Sequence, residues 1–438
     1  AVTALCRRLD GAPLAIELAA SRVPVMTPAQ LLDGLDDRFR TLSGGRRRRR
    51  GRGTLEATID WSYDLLAPDE QRVFRALGAF AGPFDVEAVA AVSDLSVQDA
   101  TDVMEVLFAR SLIVPSSAPN RFRLLETLKA YAERAVVDAG EIEHVRERHC
   151  AHYVRLGRAD TLSKAWQLDR CVALLPDVGD LLLTADWLES KRRWEELAEH
   201  LFGIAFVSGD DAGAMLGRLA RCKRRVAHQH HVDDLCHAAI FSTMALADWV
   251  AYIEATAELR KSPNPTTAAF GYLYLALVTA RHAPDDAHSL IDRFAELAGE
   301  DALGDHADHV VFWRSLVEAM SGDLDTASDF AKRVADRPVG RTSLGLNAQM
   351  IVGAAAWAHG DAAPFASVAD SLERAYRDTG RLDPYFETIV GFARGLVLLT
   401  SDDLDGARAA LRDQARDAFS GRVALVDGDA LGLLAELS

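Results

Sequence analysis

Six side chains between residues 222 and 237 carry zinc-ligand chemistry: Cys222, His228, His230, His231, Cys236 and His237. Structural zinc sites hold four such ligands, usually in closely spaced pairs. The spacing here fits no standard site, and exposed histidines on a polar helix and turn account for the same residues, so no metal is expected. A phosphate-cradling P-loop needs Gly-Lys followed by Ser or Thr. None of the six lysines follows a glycine, so that motif is absent. The run Ile204 to Val207, followed by Asp210 and Asp211, imitates a magnesium-binding strand end. It lies in a helical context without a partner P-loop and reads as a helix terminus. No Ser/His/Asp set or carboxylate pair stands out from background. The chain alone is therefore expected to have no catalytic residues, no cofactor and no ATP hydrolysis.

A second chemistry to weigh is phosphate binding by arginine. Residues 44–53 read GGRRRRRGRG. Nucleic-acid platforms interleave aromatic residues with the cations, and none occurs here, so a self-repelling, solvated linker is the expectation. The formal net charge of -16 on 438 residues also disfavours nucleic acid as the main partner. Five scattered cysteines suggest no disulfide framework and a reducing compartment. No apolar run approaches the ~18 residues that would span a bilayer. A soluble, cytoplasmic chain of two or three domains is expected. It opens on Ala1 inside helical pattern rather than on Met, as a piece of a longer protein would.

The elements that would position any chemistry are mostly helices. Residues 1–45 read as short helices with a Gly-x-Pro elbow, Gly11-Ala12-Pro13, and Thr27 capping a helix whose first residue is Pro28. The basic linker follows at 46–53. Over 54–140 apolar residues recur at helical spacing around Leu65, Leu66, Val73, Phe74 and Leu77, then along Val103, Met104, Leu107 and Phe108. Pro68 with Asp69 and Glu70 marks one helix start, and Ser96 with Asp99 marks another. Two short runs, Leu112 to Val114 and Arg121 to Leu124, flank turn residues, and a helix follows from about Glu126. Small helices, a hairpin and a closing helix make a winged-helix module. It holds fourteen acidic against seven basic residues between Thr54 and Asp138. Asp99, Asp102 and Glu105 lie on the helix that would read DNA, so this module is expected to pack on protein instead.

Residues 141–262 read as irregular helices and 263–438 as tetratricopeptide-like repeats. Four segments share an apolar helix, a turn with Asp and an amphipathic helix, with Asp285, Asp323, Asp361 and Asp403 in the turns. Trp313, Leu316, Trp357 and Leu396 then belong to first helices whose faces bury against neighbouring units. The expected fold is mainly α: a short helical domain, a winged helix with a small β-hairpin, and an α-solenoid.

The sequences CRRLDGAPLAIELAASRV at 6–23, TIDWSYDLLAPDEQRVFRALGAFAGPF at 58–84, LFARSLIV at 107–114 and FRLLETLKAYA at 122–132 resemble the STAND class of signal-transduction NTPases. The likeness is to bacterial regulators of the AfsR and MalT type. That resemblance implies a missing P-loop ATPase domain that binds ATP or ADP with Mg. It implies that Gly11 and Pro13 lie against the adenine, and that the repeats bind a small-molecule inducer or a protein or peptide. No membrane contact is expected, because no apolar run is long enough to span a bilayer. Related NTPases carry Met-His-Asp at the start of the last winged-helix helix, where this chain has Leu124-Leu125-Glu126, so Leu125 replaces the phosphate-contacting His.

Overall fold

The computed structural model describes residues 2–8, 27–33, 59, 63–64, 66–110, 112–158, 170, 173–207, 212–246, 248–280, 282–335, 343–370, 391, 394–399, 401 and 403–419. The Gly11–Pro13 elbow and the 44–53 linker lie outside these residues. The chain forms two compact units, one running to Arg155 and one from Leu156.

The first unit begins with α1 (Val2–Arg8) and α2 (Pro28–Asp33). Thr27 caps α2, accepting from Gln30 N at 3.3 Å. Helix α3 (Pro68–Ala76) starts at Pro68, with Glu70 reaching back to Ala67 N at 2.7 Å. Asp85 caps α4 (Val86–Ser93), and Asp94 in the left-handed conformation ends it. Ser96 then caps α5 (Val97–Ala109). The tight turn between α4 and α5 makes these two a helix-turn-helix. Strands β1 (Val114–Pro115) and β2 (Phe122–Arg123) pair antiparallel with Val114 opposite Arg123, and Phe84 bridges to Phe122. This is the wing, and α6 (Glu126–Asp138) closes the module. Val73, Phe74, Leu77, Val89, Leu107 and Val136 are its buried centre. Gly78 lets α6 cross closely, since a Cβ there would lie 2.7 Å from Glu133 N.

Beyond the winged helix, the first unit continues to Arg155. Helix α7 (Ile142–Gly157) buries Val145, His149, Cys150 and Tyr153. Those spacings put one stripe inward. Phe80 meets the ring of His149 at 5.5 Å and that of Tyr153 at 6.4 Å. Arg148 pairs with Asp94 at the end of α4.

The second unit is a run of helices: α8 (Val178–Ser190), α9 (Trp194–Ile204), α10 (Ala212–Lys223), α11 (Gln229–Ala245), α12 (Trp249–Leu259) and α13 (Pro265–Ala280). Next come a helical run α14 (Pro284–Ser321), then α15 (Leu324–Ala335), α16 (Ser343–Ala358) and α17 (Leu404–Phe419). Run α14 covers 38 residues. A straight helix would hold His288 and Glu318 about 45 Å apart, at 1.5 Å per residue. Yet His288 Nε2 lies 3.1 Å from Glu318 Oε1, and Arg314 Nη2 lies 2.5 Å from Asp292 Oδ1. Both pairs are symmetric about Leu303. The run is therefore an antiparallel pair of arms that reverses near Leu303 and Gly304, which restores two helices per unit.

The turns share one geometry. The backbone N–H groups of Asp248, Asp323, Asp361 and Asp403 each bond the carbonyl five residues earlier. Asp248, Asp323 and Asp403 also cap the next helix, accepting from the N–H three residues on. Asp361 accepts from Ala363 N at 3.0 Å. Asp285 differs from expectation. Ala283 holds the cap position of α14, and Asp285 sits in its first turn. Counting from Asp248, Ala283, Asp323, Asp361 and Asp403, the fourth and eighth residues onward are Tyr252 and Thr256, Ala287 and Ile291, Ala327 and Ala331, Phe365 and Ala369, and Ala407 and Leu411. All ten are buried. The repeat thus begins earlier than residue 263. Trp313 and Leu396 are buried, while Leu316 and Trp357 are partly buried against the same packed faces.

Candidate functional site

The helix-turn-helix fixes which surface could meet a partner. Ala100, Met104 and Leu107 turn one face of α5 into the core. The opposite face exposes Asp99, Asp102 and Glu105, with Val97 and Phe108 each about half exposed. Phe108 meets Phe122 of the wing edge to face at 6.0 Å. No Lys or Arg lies within α5. The face that would enter a groove is acidic with apolar ends.

Arg110 is exposed at the C-cap of α5, but other cations of the module are engaged elsewhere. Arg121 turns inward, with Nη2 3.1 Å from Asp85 Oδ2 and Nη1 donating to Pro83 O at 3.2 Å. Lys129 donates to Ala81 O. Arg75 is held by a clasp that no sequence pattern revealed. Its Nε and Nη2 donate to Glu141 at 2.8 and 2.7 Å, and Nη1 donates to the Tyr63 hydroxyl at 2.6 Å. Those hydrogen bonds to Arg75 hold the Glu141 carboxyl below the usual carboxylate range. Arg123, on the wing, remains exposed.

Leu125 stands at the N-cap of α6 with no side-chain cap bond, and Leu124 before it is buried. The apolar side chain of Leu125 offers no group to a phosphate. Gly11 and Pro13 lie outside the described residues.

Of the Cys/His set, the rings of His228, His230 and His231 cluster, with centroids 3.8 to 6.2 Å apart, and only His228 and His230 are exposed, contrary to the sequence expectation for the remaining histidines. Cys222 Sγ donates to Trp194 O at 3.3 Å, and burial pushes its thiol up to about 12. Cys236 lies beside Lys223. His237 faces the Tyr274 hydroxyl at 3.3 Å, and burial pushes it down to about 3. His231 Nε2 meets Glu195 Oε2 at 3.1 Å, with Asp234 at 4.0 Å from its other nitrogen. Burial, with Asp233 and Glu199 nearby, raises Asp234 to about 7. Among the described residues no group of His, Cys, Asp and Glu is placed to hold a metal ion. No described helix is long and apolar enough to cross a membrane.

Comparison with known proteins follows the same lines. The winged helix-turn-helix domain family matches residues 66–136. A Mycobacterium tuberculosis protein named as an HTH-type transcriptional regulator is 48% identical over 162 residues, which cover 36% of this chain and 18% of the relative. Regulatory protein AfsR of Streptomyces coelicolor is 39% identical over 124 residues, covering 27% of this chain and 12% of AfsR. The chain thus spans under a fifth of either regulator's length. A signal transduction ATPase with numerous domains (STAND) and a tetratricopeptide repeat sensor, from Pyrococcus horikoshii, superposes with a TM-score of 0.39 at 11% identity over 96% of this chain and 71% of that one. That likeness is too loose to assign fold or function. Residues 66–136 are a winged helix-turn-helix domain, and the chain is a sequence relative of AfsR and of HTH-type transcriptional regulators.

Proposed function

We propose that this chain is the regulatory and sensor portion of a STAND-type ATPase that controls transcription. Binding of an inducer or protein partner on the helical repeats would favour one arrangement of the protein over another. A nucleotide held by a separate P-loop domain would set which arrangement is released to an output. The observation that carries this reading is the pairing of an acidic, non-groove-reading winged helix with a helical array whose turns and buried positions repeat. The chain itself does no ATP chemistry, and Gly11 and Pro13 supply an adenine-facing surface only together with the P-loop domain.

The test lies in the coding sequence ahead of Ala1 and in its product. Expected is a glycine-rich Gly-Lys-Ser/Thr loop after a strand, and nucleotide exchange by the longer protein that changes when residues 263–438 are removed. No such loop, or exchange indifferent to the repeats, would defeat the reading.

The winged helix-turn-helix match favours a second reading, direct DNA binding. A gel-shift titration with duplex DNA separates the two. Salt-sensitive binding through Arg123 and the wing would establish the second reading.

A further inference from the structure

Helices α10, α11 and α12 enclose an open cavity of about 520 Å³. The room comes from small side chains on facing helices: Ala220 on α10, Ala239 on α11, and Ala251 and Ala255 one turn apart on α12. Leu216, Leu219 and Leu235 complete an apolar lining. That volume lies within the range of small-molecule sites, which pair an apolar wall with a few placed polar groups.

The polar groups are unequal. Lys261 Nζ is paired with Glu258 at 3.3 Å, so those charges cancel at the rim. Glu254 is exposed on α12 and solvated. Lys223 is half-buried at the end of α10, and its Nζ lies 3.5 Å from Cys236 Sγ. Cys236 is 3% exposed, and burial raises its thiol pKa, so the sulfur is a weak neutral acceptor and not a counter-ion. Among the described residues no carboxylate lies within 4.0 Å of the Lys223 ammonium. Lys223 is partly exposed at the cavity mouth, so water solvates its ammonium until a ligand with an anionic group arrives. One ammonium matches one negative charge, whereas a phosphate would call for more donors.

We propose that this cavity binds a small molecule with an apolar body and a single carboxylate, the head group pairing with Lys223 and the body lying on Leu216, Leu235 and Ala255. This gives a ligand class to the sensor reading above and rests on that reading only for its signalling consequence. The binding itself stands apart.

The test is calorimetric titration of the full chain with dodecanoate, and with dodecanol as the uncharged control, below the micellar range. Expected is one site that prefers the acid at least about tenfold, a difference of about 1.4 kcal/mol. Lys223→Met should erase the preference, lowering dodecanoate affinity much more than dodecanol affinity. Ala255→Phe, which fills the cavity, should abolish both, with circular dichroism reporting the fold. If Ala255→Phe fails to fold, the Lys223→Met comparison decides alone. Equal affinity for acid and alcohol, a preference that survives Lys223→Met, or no binding of either would overturn the proposal. Those outcomes leave the nucleotide-exchange test of the sensor reading untouched.

Discussion

Replacing Glu141 with Gln probes the clasp that ties α3 to the start of α7. The carboxylate accepts two guanidinium hydrogen bonds, while the side chain of Arg75 is 15% exposed and that of Glu141 32% exposed. Hydrogen bonds to a charged group contribute about 1.5–3 kcal/mol when buried, and partial exposure of Glu141 lowers this through solvent screening. Gln keeps the shape and one acceptor but leaves Arg75 without its counter-charge. The expected cost is about 1–2 kcal/mol.

The readout is amide hydrogen exchange in α3 and α7, which follows this unit even if the second unit unfolds separately. Arg75→Met/Glu141→Gln should cost less than the two single changes summed, with coupling of about 1 kcal/mol. The dependence on pH has a defined sign. The folded-state pKa of Glu141 is lowered, so its stabilisation is fully present above its unfolded value, about 4.3, and is lost as pH falls through the folded value. The gap between the native protein and Glu141→Gln should therefore close in acid. Zero coupling, or a gap that widens as pH falls, would refute this account.

Four further outcomes are expected. Gly271→Ala places a Cβ 2.9 Å from both Arg260 N and Thr256 O, and should destabilise by about 1–3 kcal/mol in urea unfolding. Trp313→Ala, at 6% exposure, should cost about 3–5 kcal/mol, and half-buried Trp357→Ala distinctly less. Asp323→Ala and Asp403→Ala should each lower the melting temperature as lost caps. Arg121→Ala should lower stability through Asp85 and Pro83, and leave gel shifts with duplex DNA unchanged at physiological salt.

Local signals were legible in the sequence because they act within a few residues. Pro68, Ser96 and the hairpin turn each specify an end or a reversal by their own backbone chemistry. The turn aspartates were legible for the same reason, since an Asp that caps a helix is favoured wherever a tight turn precedes one. Asp285 shows the limit. It lies two residues past the structural cap, and at this range a first-turn acid and a capping acid look alike in sequence. Helix α7 is amphipathic on its own, and periodicity does not say what its apolar stripe meets. The Arg75–Glu141 clasp joins residues 66 apart, and the cavity at Lys223 is a matter of what alanines leave unfilled. Neither has a local signature.

The acidic face of α5 decides more than the name of its fold does. A helix in the major groove brings its exposed side chains to roughly 7 Å from several phosphates. Each carboxylate–phosphate pair at that distance is unfavourable by about 0.6 kcal/mol in water before screening. Salt cuts pairs beyond about 8 Å, so the exposed Asp99, Asp102 and Glu105 would each still oppose their nearest phosphates. Specific DNA complexes need the opposite sign, because phosphate neutralisation supplies much of their affinity. Arg121, which could offset one charge, is bound to Asp85. Freeing it would cost that ion pair. The attraction would have to come through Arg110 and Arg123, against a helix face that repels. The same face suits a basic or apolar protein surface, where Val97 and Phe108 add buried area and the three carboxylates find cations. A helix-turn-helix fold and a protein-facing role are therefore compatible in this chain, and the charges on α5 are what separate them.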